Sequence, residues 1–190
     1  MTQLILGLTG QAGCGKGTIA EFLEEEYGAI HLRFSAILDD LLQTLGLEND
    51  RPTLTQLSET IRKGFGESVL SHAIAKQALT SSKKLVVIDG FRRVEDLTSL
   101  ETLPEFKLLA LDAPARVRYE RVKNRGERED EKEMSWEKFI SQGSSSTELT
   151  IPATMARAWR TMDNSGTKEE MKERMRELMK ELGVKAMARK

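Results

Sequence analysis

The chain has 190 residues, a usual length for one domain able to bury its own core without disulfides or structural metals. Its 29 lysines and arginines nearly balance 30 aspartates and glutamates, so no overall field draws it to nucleic acid or a membrane, and any anion must be held by local placement. Cys14 is the only cysteine, His31 and His72 lack metal-ligand spacing with it, and no apolar run approaches the ~18 residues of a membrane span. These exclude a disulfide scaffold, a zinc site and a spanning helix, and lead to the expectation of a cytoplasmic protein without a signal peptide, monomeric or homodimeric.

In chain order, the first strand is expected at Leu4–Thr9 (LILGLT), a continuous apolar run suited to burial on both faces. A helix follows over Lys16–Tyr27, then a weaker strand candidate over Ala29–Phe34 and helical patterns over Ser35–Leu45, Leu54–Lys63 and Glu67–Leu79. Strong strands recur at Leu85–Asp89 (LVVID) and Lys107–Ala113 (KLLALDA), separated by a helical pattern over Val94–Leu100. Helices are expected again at Ala115–Arg125 and Thr167–Leu182, with a second weak strand at Trp159–Asp163. This alternation predicts a three-layer α/β/α domain on a mostly parallel five-stranded sheet. Thr53 with Gln56, Ser145 with Glu148, and Thr167 with Glu170 have capping-box spacing. Residues 46–66, punctuated by Gly46, Pro52, Gly64 and Gly66, and residues 126–150, charged and then serine-rich, are expected as mobile covers over a site.

The stretch GLTGQAGCGKGT (Gly7–Thr18) lies where the first strand gives way to the first helix. A phosphate-binding loop needs a buried strand to aim it, glycines that let backbone N–H groups converge, and a helix N-terminus to present more of them. Gly10, Gly13 and Gly15 supply the glycines, and Lys16 completes the G-x-x-x-x-G-K spacing and is placed to reach terminal phosphates. Cys14 fills a variable position. The residue after the lysine is Gly17, so the hydroxyl that would meet Mg²⁺, directly or through water, comes from Thr18. Asp89 ends the Leu85–Asp89 strand at the edge where open α/β sheets bind ligands, and would face the loop and hold Mg²⁺ or its waters if the two strands are neighbours. Arg92 and Arg93 follow as a fork for a second phosphate. Arg118, Arg121, Arg125 and Arg128 recur at helical steps of three and four, a cationic stripe able to stabilise charge on a transferring group.

Together, GQAGCGKGT (Gly10–Thr18), DGFRR (Asp89–Arg93) and RVKNR (Arg121–Arg125), in this order, make the chain resemble the P-loop nucleoside monophosphate kinases, adenylate kinase and dephospho-CoA-kinase-like proteins included. The resemblance implies one P-loop kinase domain over 1–190, with a helical acceptor-binding insertion at 34–80 and a lid at 126–157. It implies that Lys16 and the backbone from Gly13 to Thr18 grip ATP, that Arg121 lies against its adenine with Gly166 of DNSGT (Asp163–Thr167) bordering the base, and that Arg125 meets the transferred phosphate. On the acceptor side it implies Ser35, Arg62 and Arg93, with Arg92 in the place of the family's proline, which leaves open which of the two arginines reaches the acceptor. Leu97 stands where some adenylate kinases carry an AMP-reading glutamine. The implied activity is transfer of the γ-phosphoryl of ATP, with Mg²⁺, to a small phosphorylated acceptor, a nucleoside monophosphate first. The alternatives are a dephospho-CoA-kinase-like enzyme, which would need a catalytic base, and a non-catalytic nucleotide-binding regulator. A GTPase is disfavoured because no N-K-x-D tetrapeptide occurs.

Overall fold

The structure, a computed structural model, describes residues 3–125, 134–143 and 146–188. Five strands, β1 (Leu4–Thr9), β2 (Ile30–Arg33), β3 (Leu85–Asp89), β4 (Phe106–Asp112) and β5 (Arg160–Asp163), form one sheet in the order β2-β3-β1-β4-β5. Every pairing is parallel. The three strands that read as continuous apolar runs are the central ones: Ile5, Leu6, Leu8, Val86, Val87, Ile88 and Leu109 are all fully buried. The two weak candidates are the edges, half-covered in β2 and mostly exposed in β5, so helices on both faces select apolar runs only in the middle of the sheet.

Helices α1 (Lys16–Tyr27) and α9 (Lys168–Glu181) cover one face, where Leu6, Leu8, Ile19 and Leu23 pack with Met171, Met175 and Met179. The other face carries α2 (Phe34–Leu45) and α4 (Val69–Thr80), which close Phe34, Leu38, Leu70 and Ile74 over Ile5, Val86 and Ile88, with Leu54, Leu57 and Ile61 of α3 (Arg51–Phe65) at the margin of this core. Helix α5 (Ala115–Arg125) follows β4, and α6 (Trp136–Gly143) is pinned to it by Tyr119, Trp136 and Phe139, whose ring centroids lie 5.4–6.0 Å apart. Two short helices, α7 (Ser146–Leu149) and α8 (Ile151–Met155), lead to β5. Among the described residues no helix is long and apolar enough to cross a membrane.

Two local expectations are corrected, the Thr53–Gln56 box and the Val94–Leu100 helix. Segment 46–66 is mostly helix, since α3 starts at Arg51, and its cap is Asp50, whose Oδ1 accepts the Thr53 N–H at 2.8 Å; Thr53 is therefore inside the helix and the Thr53–Gln56 box does not form. The Val94–Leu100 helix is only a 3₁₀ turn over Val94–Leu97, because the Asp96 carboxylate folds back onto the N–H groups of Arg92 (2.8 Å) and Arg93 (3.0 Å). Segment 126–150 contains helices α6 and α7, while 126–133 and 144–145, with Arg128 and Ser145, lie outside the described residues. The Thr167–Glu170 box forms as expected and starts α9.

Candidate functional site

The buried β1 delivers the chain to the C-terminal edge of the sheet, where residues 10–15 turn into α1. Gly13 and Gly15 have φ of +79° and +102°, and a Cβ there would stand 2.4 Å from the Arg118 carbonyl oxygen and 2.3 Å from Asn164 Nδ2. Backbone conformation and space thus both require glycine at these positions. Gly17 meets nothing within 4 Å. Lys16 Nζ donates to the Gly10 oxygen at 2.7 Å and the Gln11 oxygen at 3.4 Å, so the ammonium lies over the loop it closes. Cys14 is 1% exposed, its sulfur packed beneath Gly10, and acts as filler.

The loop is braced from two later elements. Asn164, buried after β5, donates from Nδ2 to the Cys14 oxygen at 2.8 Å and from its backbone N–H to the Asp112 oxygen at 2.7 Å. Arg118 donates to the Ala12 oxygen at 3.2 Å, and Arg121 forks onto the Asn164 and Gly166 oxygens at 2.7 Å each. The DNSGT loop and α5 are thereby joined beside the glycine loop, with Arg121 and Gly166 in direct contact. Arg125, at the exposed end of α5, lines the same cleft.

Parallel register sets Asp89 opposite Leu8 of β1 and Arg33 of β2, one strand away from the loop. His31 Nε2 lies 3.4 Å from Asp89 Oδ2. Burial, the largest single influence, would push the Asp89 carboxyl up, but His31, Lys16 and Arg33 together outweigh it and hold it below the ordinary value of 3.8. Asp89 is therefore a carboxylate at neutral pH, and with the Thr18 hydroxyl it lines the cleft as a hard oxygen donor.

Across the cleft, Arg62 of α3 is 5% exposed, and its Nη2 meets Asp96 Oδ1 at 2.5 Å while Nη1 donates to the Glu67 carbonyl. Asp96 is 1% exposed and holds Arg62 on one oxygen and the Arg92 and Arg93 N–H groups on the other. Arg92 pairs with Glu148 of α7 and Arg93 with Glu67 at 3.0 Å. Lys16, Thr18, Asp89, Arg92, Arg93 and Arg121 all line one cleft of about 1190 Å³, as do Ser35, Arg62 and Arg125. Sequence reasoning assigned nothing to His31, Arg33, Asn164, Glu67 or the pairing role of Glu148. The strand alternation that places Asp89 would also have placed His31 and Arg33, whereas the ion-pair partners are set by helix packing.

A parallel sheet ordered 2-3-1-4-5 with a glycine loop after its central strand defines a P-loop protein of the kinase type. The chain belongs to the AAA domain family, whose pattern it matches over residues 9–139. It also belongs with the UPF0200 proteins: it is 30% identical to that of Thermococcus gammatolerans over 172 residues, covering 88% of this chain and 89% of the relative. With the UPF0200 protein of Sulfurisphaera tokodaii it shares 27% identity over 170 residues, 88% of this chain and 91% of the relative. The fold is that of TT1252 from Thermus thermophilus (TM-score 0.63, 18% identity, 96% and 99% of the two chains). It is likewise that of shikimate kinase from Acinetobacter baumannii in complex with shikimate (TM-score 0.56, 19% identity, 97% of each chain).

Proposed function

We propose that the protein is an ATP- and Mg²⁺-dependent phosphotransferase that moves the γ-phosphoryl group to a small phosphorylated acceptor, a nucleoside monophosphate first among candidates. The observation that carries this reading is a single cleft in which the glycine loop, Lys16 and Asp89 face a wall bearing Arg62, Arg92 and Arg93. A nucleotide switch needs the first half of that cleft, and group transfer gives the second half a use.

The loop residues from Gly13 to Thr18 and the N-terminus of α1 would cradle the donor phosphates, and Lys16 would exchange its carbonyl partners for a phosphate oxygen. Arg121 and Gly166 would border the adenine. Asp89 and Thr18 fit Mg²⁺ by the chemistry of their donors, an ionised carboxylate and a hydroxyl; among the described residues no cluster of three acidic, His or Cys ligands occurs, which suits an ion bound by few side chains plus phosphates and water. When bound, Mg²⁺ supplies neutralisation of phosphate charge. Arg125 would stabilise charge on the transferring group, and Ser35, Arg92 and Arg93 would take the acceptor, with Arg62 acting from beneath through Asp96. The helical segment 34–80 would form the acceptor side, and the 126–157 segment would cover the cleft. Catalysis then consists of positioning and electrostatic stabilisation without a protein nucleophile.

The test is ADP release from Mg·ATP in the presence of nucleoside monophosphates, dephospho-CoA and shikimate. Acceptor-stimulated turnover is expected, and its absence across the panel sinks the reading. Lys16→Ala should lower that turnover by at least ~100-fold with an unchanged circular dichroism spectrum; an active variant would show that the loop has another use.

A further inference from the structure

Three arginines of the cleft wall are held by carboxylates, and the three pairs are not alike. Arg62 and Asp96 are both buried, so neither can leave the other without stranding a charge. Glu67, opposite Arg93, is exposed, and a pair of that kind opens at little cost. Arg92 and Glu148 are mixed. The guanidinium is 44% exposed on the cleft, whereas the carboxylate is 6% exposed and has no other ion-pair partner among the described residues.

The helix that carries Glu148 reverses ordinary burial. In α7, four residues long, Glu148 is buried while the adjacent Leu149 is 65% exposed. Burial of the leucine does not orient this helix; the ion pair does. The next helix is fixed independently, because Ile151 and Thr154 of α8 are fully buried. A second tie runs from the Thr150 hydroxyl to the Arg92 carbonyl. The Arg92 backbone is itself held, its N–H donating to Asp96 Oδ2 at 2.8 Å, so the guanidinium can change partners while the main chain stays in place. One turn of helix oriented by one partly solvated ion pair is a weakly held element, and departures from local preference of this kind concentrate at functional sites.

We propose that Glu148 stands on Arg92 where the phosphate of the acceptor binds, so that the acceptor displaces this carboxylate and releases α7 from the wall. This rests on the phosphotransferase reading above. A phosphate carries more charge than a carboxylate and fits the guanidinium fork, which lets it win the exchange. Glu148 is tethered at the site, so it lowers the apparent affinity for the acceptor by the fraction of molecules in which Arg92 is open. The displaced carboxylate does not stay buried without its cation, because α7 has no buried leucine to keep it there. Acceptor binding and the position of α7 thus form one equilibrium.

The protein, saturated with Mg²⁺ and β,γ-imido-ATP, is titrated calorimetrically with AMP, CMP and inorganic phosphate. In Glu148→Gln the best of these should bind ~10-fold more tightly, as expected if Arg92 is open in about a tenth of the parent molecules, with β,γ-imido-ATP affinity within ~2-fold of the parent. The double variant Arg92→Gln/Glu148→Gln should lose that gain and bind no tighter than the parent, which ties the effect to Arg92. Amide hydrogen exchange over residues 146–149 should quicken in the parent when the anion is added and should already be fast in Glu148→Gln before it is added. The proposal is overturned by unchanged or weaker anion affinity in Glu148→Gln, by a gain that survives in the double variant, by exchange that the anion does not alter, or by failure of both parent and Glu148→Gln to bind any of the three anions. Binding that Glu148→Gln tightens, without any acceptor-stimulated ADP release, would uphold the competition and overturn the transfer reaction; acceptor-stimulated release with unchanged affinity in Glu148→Gln would do the reverse.

Discussion

Asp96 is the residue on which the arginine-bearing wall of the cleft depends. One carboxylate holds the Arg62 guanidinium and the two backbone N–H groups that fix the course of Arg92 and Arg93, all in a setting where both partners of the ion pair are 5% exposed or less. Asp96→Asn keeps the shape but leaves Arg62 buried without its counter-charge, so thermal denaturation should show a loss of about 3–5 kcal/mol, with the Arg62→Met/Asp96→Asn double variant recovering part of it. Asp89 behaves differently because its charge serves the cleft. Its folded pKa is depressed, so the stability it contributes is fully present above the unfolded value of 3.8 and is lost as pH falls through the lower folded value. Denaturant midpoints measured from about pH 5 to pH 2 should therefore drop more steeply for the parent than for Asp89→Asn, and equal slopes would mean that His31, Lys16 and Arg33 do not act on this carboxyl.

Between β1 and α1 the glycines are not equivalent. Gly15 has positive φ and Asn164 stands where its Cβ would go, while Gly17 has open space and an ordinary φ. Gly15→Ala should push Asn164 off the Cys14 carbonyl, lower Tm and abolish nucleotide binding. Gly17→Ser, which restores the hydroxyl residue directly after the lysine, should fold with unchanged Tm. Calorimetric binding of β,γ-imido-ATP, together with melting curves, checks both; equal tolerance of the two substitutions would contradict the loop geometry. The same element shows how capping is decided. Thr167 and Glu170 stand at the true start of α9 and cap it, whereas Thr53 and Gln56 have the same spacing but fall inside a helix that Asp50 has already begun. Spacing identifies a box only when the backbone enters the helix there.

Over the whole molecule, the glycine-loop side of the cleft joins early and late segments of the chain. Residues 10–18 are braced by Asn164 and by α5, and α5 is tied in turn to Gly166 ahead of the last helix. A nucleotide that binds the loop should therefore stabilise the sheet from β1 to β5 as a unit. At ~100 times its Kd, Mg·β,γ-imido-ATP should raise Tm by roughly 5–10 °C. Arg121→Ala should reduce that shift while leaving the unliganded Tm within ~2 °C, because its two bonds go to carbonyls at a half-buried surface. An undiminished shift would separate α5 from the nucleotide.

The sequence by itself determined the central strands, the glycine loop and the position of Asp89, because burial on both faces, positive φ and a strand end each constrain residue type locally. It was less explicit at β2 and β5, whose edge positions relax the demand for apolar residues, and misleading at Val94–Leu97, where Asp96 bends the backbone into a turn. Which arginines are already neutralised was decided only by tertiary packing. Glu148 meets Arg92 across 56 residues and Asp96 meets Arg62 across 34, and no local pattern encodes pairings formed where separate helices converge. That packing also sets Arg33 near Asp89, whose carboxyl it helps to keep ionised, a distinction that reading arginines from spacing could not make.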